Sequence, residues 1–212
     1  MLVDERKAEL RRTERNRRRR GEPDRLLAGM SRAVQEHFLT AFPPEPGRRV
    51  GLYQAVAGEV GTDRIRSRYL SARALLFYPK VMDDGHLSFY PDGGEDGWVR
   101  GKYGLLEPFV PAGAQGLRSG FDLVVVPGMA FDARGRRLGR GSGYYDRFLV
   151  GLDGTVVTVG LAFSRQLLQE VPVDHWDVPV DVVVTEDGVI QASRRRLDGH
   201  IKSPAASHGG DK

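Results

Sequence analysis

The 212-residue chain contains no cysteine. That absence excludes disulfides, thiolate nucleophiles and cysteine-ligated metals, and it fits a reducing compartment. Long apolar runs are missing too. A run such as Leu123 to Val126 falls far short of the roughly 20 residues a membrane-spanning helix needs. The first residues carry charge where a secretory leader would carry an apolar core. A cytoplasmic location without a membrane partner is therefore expected. Histidine is sparse, and His37, His86 and His175 are scattered, which suggests no zinc site. No Ser/His/Asp triad is evident. Two familiar phosphate patterns are also absent. There is no G-x-x-x-x-G-K-[ST], and Gly139, Gly141 and Gly143 are wrongly spaced for G-x-G-x-x-G. Neither a P-loop NTPase nor a Rossmann dehydrogenase is supported.

Glycine, by contrast, is abundant: 27 residues, about twice the usual ~7%. These glycines concentrate between Gly85 and Gly154, so loops with specific work are expected there. The net charge is +4, and it is uneven. Residues 1–20 hold nine basic and four acidic side chains, which leaves the remainder near −1. The basic character thus belongs to an N-terminal arm. An arm of this kind could contact nucleic acid through phosphates. The near-neutral remainder and the lack of interleaved aromatic and basic residues argue against that as the main function.

Residues 3–20 predict a helix with a narrow apolar stripe, its block Arg17 to Arg20 solvated at a favourable C-terminal end. Pro23 suits the start of a second helix reaching about Ala41. Short strands are expected at Val50 to Tyr53, Ala74 to Tyr78 (ended by Pro79), His86 to Tyr90, Phe121 to Val126, Val156 to Phe163 and Val180 to Val184. Val189 to Gln191 should pair close to the last of these. Helices are expected from a Thr62 cap through Arg73, from Tyr144 to Val150, and from a Ser164 cap through Gln169. Residues 91–119 are loop-rich and carry no clear assignment, and residues 194–212 read as a disordered tail. Alternation of strands and helices predicts an α/β layered domain over residues 1–193 with a largely parallel sheet. Ligands in such sheets sit beyond the carboxyl ends of strands, and Pro127 lies at one.

The stretch Arg136 to Asp146 carries the most information. Gly139, Gly141 and Gly143 alternate with Arg140 and Ser142 directly before a predicted helix. Glycine permits positive φ and lets backbone amides converge on an anion. A helix start adds free N–H groups, and Arg136, Arg137 and Arg140 can fork onto phosphate oxygens. On composition alone a polyphosphate cradle and a flexible cationic hairpin remain equally open.

Val126-Pro127-Gly128-Met129-Ala130-Phe131-Asp132 followed by Arg137-Leu138-Gly139-Arg140-Gly141-Ser142-Gly143-Tyr144-Tyr145-Asp146-Arg147 resembles the signature of 5-formyltetrahydrofolate cyclo-ligases. Ser142 departs from it, since family members often carry Gly or Lys there. Further segments resemble the family in order: Lys7 to Arg11, Tyr53-Gln54 with Gly58 to Thr62, Tyr103 to Pro108, Gly160 to Phe163 with Gln166, and Val180-Asp181 through Thr185-Glu186. The resemblance implies a three-layer α/β/α fold similar to the NagB/RpiA/CoA-transferase-like fold. It implies ATP- and Mg2+-dependent conversion of 5-formyltetrahydrofolate to 5,10-methenyltetrahydrofolate, with ADP and phosphate released. Phosphoryl transfer of this kind depends on positioning and charge neutralisation, which suits a chain without a protein nucleophile.

The same resemblance implies residue roles. Lys7, Arg11, Arg137, Leu138, Gly139, Arg140, Gly141, Ser142, Gly143, Tyr144 and Tyr145 would hold ATP. Gln54 and Glu59, with Arg140 to Tyr144, would hold the folate. Asp146 and Asp181 would hold magnesium. A monomer is expected. A non-catalytic nucleotide- or folate-binding relative is the alternative.

Overall fold

A computed structural model describes residues 2–20, 24–94, 96–101 and 106–193. Pro23, Tyr103 to Leu105 and the tail from 194 lie outside the described residues. Helix α1 spans Val3–Arg20 and α2 spans Asp24–Ala41. Strands β1 (Arg49–Gly51), β2 (Leu75–Val81), β6 (Leu123–Val126), β9 (Val157–Leu161) and β11 (Val182–Thr185) run parallel. The antiparallel strands β3 (Leu87–Pro91) and β12 (Gly188–Gln191) close the two edges. The order is β12-β11-β9-β6-β1-β2-β3. This is the largely parallel sheet expected.

The sheet is covered on both faces, so its strands are apolar at successive positions rather than at alternate ones. Leu123 and Val125 of β6 point to a core shared with Val34, Phe38 and Phe42 of α2 and with Ile65 and Tyr69 of α3 (Asp63–Ser71). Val124 and Val126 point the other way, towards Phe77, Phe89, Phe121 and Phe148, the last on α4 (Tyr144–Val150). Three layers result. Tyr69 closes the first core by donating its hydroxyl to the Phe42 carbonyl at 2.7 Å.

Several boundaries differ from expectation for identifiable reasons. β2 continues through Pro79 because Phe89, opposite it, directs its N–H and C=O to Leu117. No ladder bond is lost to the missing N–H. Thr62 precedes α3 but donates its hydroxyl to the Tyr53 carbonyl instead of capping the helix. Ser164 opens only a short 3-10 turn, Ser164–Gln166, because Glu186 accepts both its N–H and its hydroxyl at 2.8 Å. Within residues 91–119, which carried no clear assignment, β4 (Trp98–Arg100) and β5 (Leu106–Pro108) pair antiparallel.

A small second sheet sits at the carboxyl end of β6. It contains β7 (Ala130–Asp132), β8 (Arg137–Leu138) and β10 (Leu167–Leu168). Its anchor is Phe131, fully buried and wedged against two glycines. A Cβ at Gly128 would lie 2.6 Å from the Phe131 ring, and one at Gly160 would lie 2.4 Å from it. Both positions therefore need glycine for space. Gly160→Ala should destabilise the protein by about 1–3 kcal/mol, the usual cost of overpacking. A lowered urea midpoint at unchanged slope checks this.

Candidate functional site

The loop after β8 lies over the carboxyl ends of β6 and β1, where a cavity of about 590 Å³ opens. That volume suits a small-molecule ligand site. Gly139, Arg140, Gly141, Ser142 and Gly143 line it, together with Leu138, Tyr144, Tyr145 and Asp146. Gly141 adopts φ 115° and Gly143 φ 65°, backbone that L side chains rarely take. Gly143 turns the chain into α4.

Opposite the loop stand Tyr53, Gln54 and Glu59, which follow β1, and Tyr78, Pro79 and Trp98 from β2 and β4. The Trp98 and Tyr78 rings meet edge to face, 4.8 Å apart. Glu107, for which no role was expected, is buried and also lines the cavity. The predicted nucleotide, folate and metal residues thus surround one space, with the exception of Asp181.

Each basic residue of the cavity meets an acidic or carbonyl oxygen from another segment. Arg140 donates to Glu59 at 2.8 Å, joining loop to opposite wall. Arg137, almost fully buried, donates to Asp146 at 2.8 Å and lies 5.7 Å from the Tyr145 ring centroid. Lys7 pairs with Asp177, and Arg11 donates to the Gly139 carbonyl at 3.0 Å. Arg136 was grouped with the phosphate cations, but it turns away to Asp132 and Glu170. The Tyr145 hydroxyl and Nε of Arg137 are buried without a hydrogen-bond partner among the described residues. Burial, reinforced by the Glu59 charge, pushes the Tyr145 hydroxyl well above its usual pKa.

Helix α1 reaches the site through long polar side chains. Val3, Lys7, Leu10, Arg11, Glu14 and Arg18 face inward at three- and four-residue spacing. Of these only Val3 and Leu10 are apolar. The Arg17–Arg20 block was expected to be solvated, and Arg18 contradicts this. Its side chain is 14% exposed, donates to the Gly128 carbonyl at 3.0 Å and lies 4.0 Å from Glu59. Burial lowers its pKa from the usual arginine value, an effect the Glu59 charge opposes. Arg17 bonds the Arg165 carbonyl at 2.7 Å and Glu14 at 3.1 Å. The side chains of Arg19 and Arg20 lie outside the described residues.

Asp181 is the exception. It precedes β11 at the amino-terminal end of the sheet and accepts from the Thr158 N–H at 2.9 Å and the Thr158 hydroxyl at 2.8 Å. The cavity lies at the other end, so Asp181 ties β9 to β11 and shares no site with Asp146. Asp177, four residues earlier, does line the cavity, as do Asp4, Glu59, Glu107 and Asp146. Four extended residues span up to roughly 13 Å, enough for Val178 to Asp181 to carry the chain away from the cavity. Sequence spacing alone could not distinguish the two. Among the described residues, no three His, Asp or Glu side chains converge as a ready-made metal site.

The family model for the 5-formyltetrahydrofolate cyclo-ligase family matches residues 3–186. The chain belongs to that family of ligases. It is 30% identical over 186 residues to the 5-formyltetrahydrofolate cyclo-ligase of Mycolicibacterium smegmatis, covering 83% of this chain and 92% of the relative. The Haemophilus influenzae cyclo-ligase is 27% identical over 156 residues, covering 72% and 83% respectively. Among solved structures, the NMR structure of the 5,10-methenyltetrahydrofolate synthetase of Aquifex aeolicus superposes with a TM-score of 0.74 at 31% identity. That match covers 96% of this chain and 99% of the other. The Mycoplasma pneumoniae synthetase, at 23% identity and a TM-score of 0.66, shares the fold.

Arg18→Ala should loosen α1 selectively. A hydrogen bond to a charged group is worth about 1.5–3 kcal/mol, so α1 amides should exchange roughly 10- to 100-fold faster. Amides of β6 and β9, measured in the same exchange experiment, should keep their protection.

Proposed function

We propose that this protein converts 5-formyltetrahydrofolate to 5,10-methenyltetrahydrofolate with ATP as co-substrate and magnesium as cofactor. The observation that carries this reading is the single cavity in which the glycine–arginine loop faces Glu59, Gln54 and an aromatic wall. A polyphosphate fits the first wall by charge and backbone. A reduced pterin fits the second by shape, stacking and hydrogen bonding to a carboxylate.

A formyl amide oxygen is a poor leaving group. Its attack on the γ-phosphorus of ATP forms an O–P bond and releases ADP. The folate N10 then attacks the activated formyl carbon, forming the new C–N bond. The former formyl oxygen departs with the phosphate, and N10 loses its proton. The chain's own part is to hold two substrates in line and offset developing charge. Arg140 and the loop amides from Gly139 to Gly143 would hold phosphate oxygens, with Arg137 fixing Asp146 from behind. Lys7 and Arg11 would close the nucleotide side from α1. Glu59 would receive pterin N–H groups, Gln54 would lie beside them, and Tyr144 would pack against the folate.

Asp146 and Asp177, which pair with Arg137 and Lys7 respectively, would hold magnesium. Both are carboxylates lining the cavity, and Mg2+ takes one or two carboxylates with water and substrate phosphate. When bound it would neutralise phosphate charge. Asp177 thus replaces Asp181 in the metal assignment.

Purified protein with ATP, magnesium and 5-formyltetrahydrofolate should accumulate the methenyl chromophore. No turnover in that assay would reject the ligase reading and leave a binding module. Asp177→Asn should raise the magnesium concentration needed for half-maximal rate, while Asp181→Asn should leave it unchanged. Arg140→Ala should raise the KM for ATP roughly 10- to 100-fold, the loss of one charge-assisted contact. An unchanged KM and kcat would remove the loop from nucleotide binding.

A further inference from the structure

Trp176 is half exposed at 52% of its surface, yet it lines the cavity. Among the described residues, the only other exposed large apolar side chain on that lining is Leu106. An exposed indole on a mobile loop would carry little meaning. This one stands on a turn fixed at several points. Asp177 accepts from the Asp174 N–H at 2.6 Å and donates its own N–H to the Asp174 carbonyl at 3.1 Å. Asp174 also accepts from the His175 N–H at 2.8 Å and lies 2.9 Å from the His175 ring nitrogen. Lys7 clamps the turn from α1 through Asp177. The His175 ring meets the indole edge to face, with centroids 4.3 Å apart and planes at 68°. The two rings are steeply inclined rather than stacked flat, and the indole keeps half of its surface open.

We infer that Trp176 is the stacking platform for the purine base of the nucleotide, an inference that rests on the ATP-dependent reading above. Two planar heteroaromatic ligands could meet this ring, and the cavity distinguishes them. Tyr78 and Trp98 pack ring against ring on the lining, and Glu59, held by Arg140, lines the same cavity, so these offer a pterin a ring and a carboxylate. Trp176 instead adjoins Asp177 and Lys7, on the side closed by α1. A nucleotide whose phosphates lie along the glycine loop would extend its base towards this turn. Stacking of this kind recognises any flat base, so Trp176 supplies affinity with little discrimination among purines.

The chain has only two tryptophans, Trp98 and Trp176, which makes the test direct. ADP and base-free tripolyphosphate are titrated by calorimetry into the native chain, W176F and W176A, all with magnesium. W176A should bind ADP about tenfold more weakly, within the range of one lost base stack. W176F, which keeps an aromatic face, should stay within about twofold of native, and tripolyphosphate should bind all three alike. In W98F, ADP but not tripolyphosphate should quench the remaining indole emission. Native-like ADP affinity in W176A would overturn the inference, as would an equal loss of tripolyphosphate binding. Quenching by 5-formyltetrahydrofolate in place of ADP would overturn it too. A native chain that neither binds ADP nor forms the methenyl product removes the functional reading itself. A native chain that does both, beside an unaffected W176A, removes the base platform alone.

Discussion

Helix α1 has almost no apolar face, and the geometry of the site depends on that constraint. A helix of this composition cannot dock by burying hydrocarbon. It docks by extending Lys7, Arg11 and Arg18 towards oxygen atoms that belong to the cavity wall. The same contacts that seat the helix also fix Asp177, the glycine loop and the turn after β6. Arm and site are therefore one electrostatic unit. Disturbing either should be felt in the other.

That unit is balanced internally. Arg140 holds Glu59 and Lys7 holds Asp177, joining segments distant in sequence, while Arg137 holds Asp146 across the glycine loop itself. Buried charge is costly unless paired, which explains why the acids and bases of this cavity occur in matched sets. An incoming polyphosphate competes with these carboxylates for the same cations. A cation such as magnesium offsets the acids left behind. Beneath this polar layer the scaffold is tightly packed, with Phe131 filling the space above two glycines and holding the small sheet at the end of the large one.

Much of this was legible in the sequence, and the failures share a cause. The glycine loop and the bounds of α4 could be read because backbone freedom and a helix start are local properties. The parallel sheet could be read from the alternation of short apolar strands with helices. Asp181 was misplaced because spacing does not say at which end of a strand a residue falls, and Asp177, four residues earlier, is at the cavity. Arg18 was taken for solvated charge because a run of arginines resembles a surface, whereas Glu59 and the Gly128 carbonyl, both distant in sequence, draw it inward. Pro79 and Ser164 were misjudged for the same reason. The partners that decided them, Leu117 and Glu186, come from elsewhere in the chain. Local chemistry proposes a conformation, and distant oxygen and nitrogen atoms select it.

The polar underside of α1 also bears on colloidal behaviour. Most proteins that lift a helix away from their body uncover hydrocarbon and become prone to self-association. Here, apart from Val3 and Leu10, separation would uncover lysine, arginine and glutamate, which water solvates readily. What separation would uncover is thus charged on the helix, and apolar on the body only where Leu10 leaves the cluster of Met129, Leu138 and Val171.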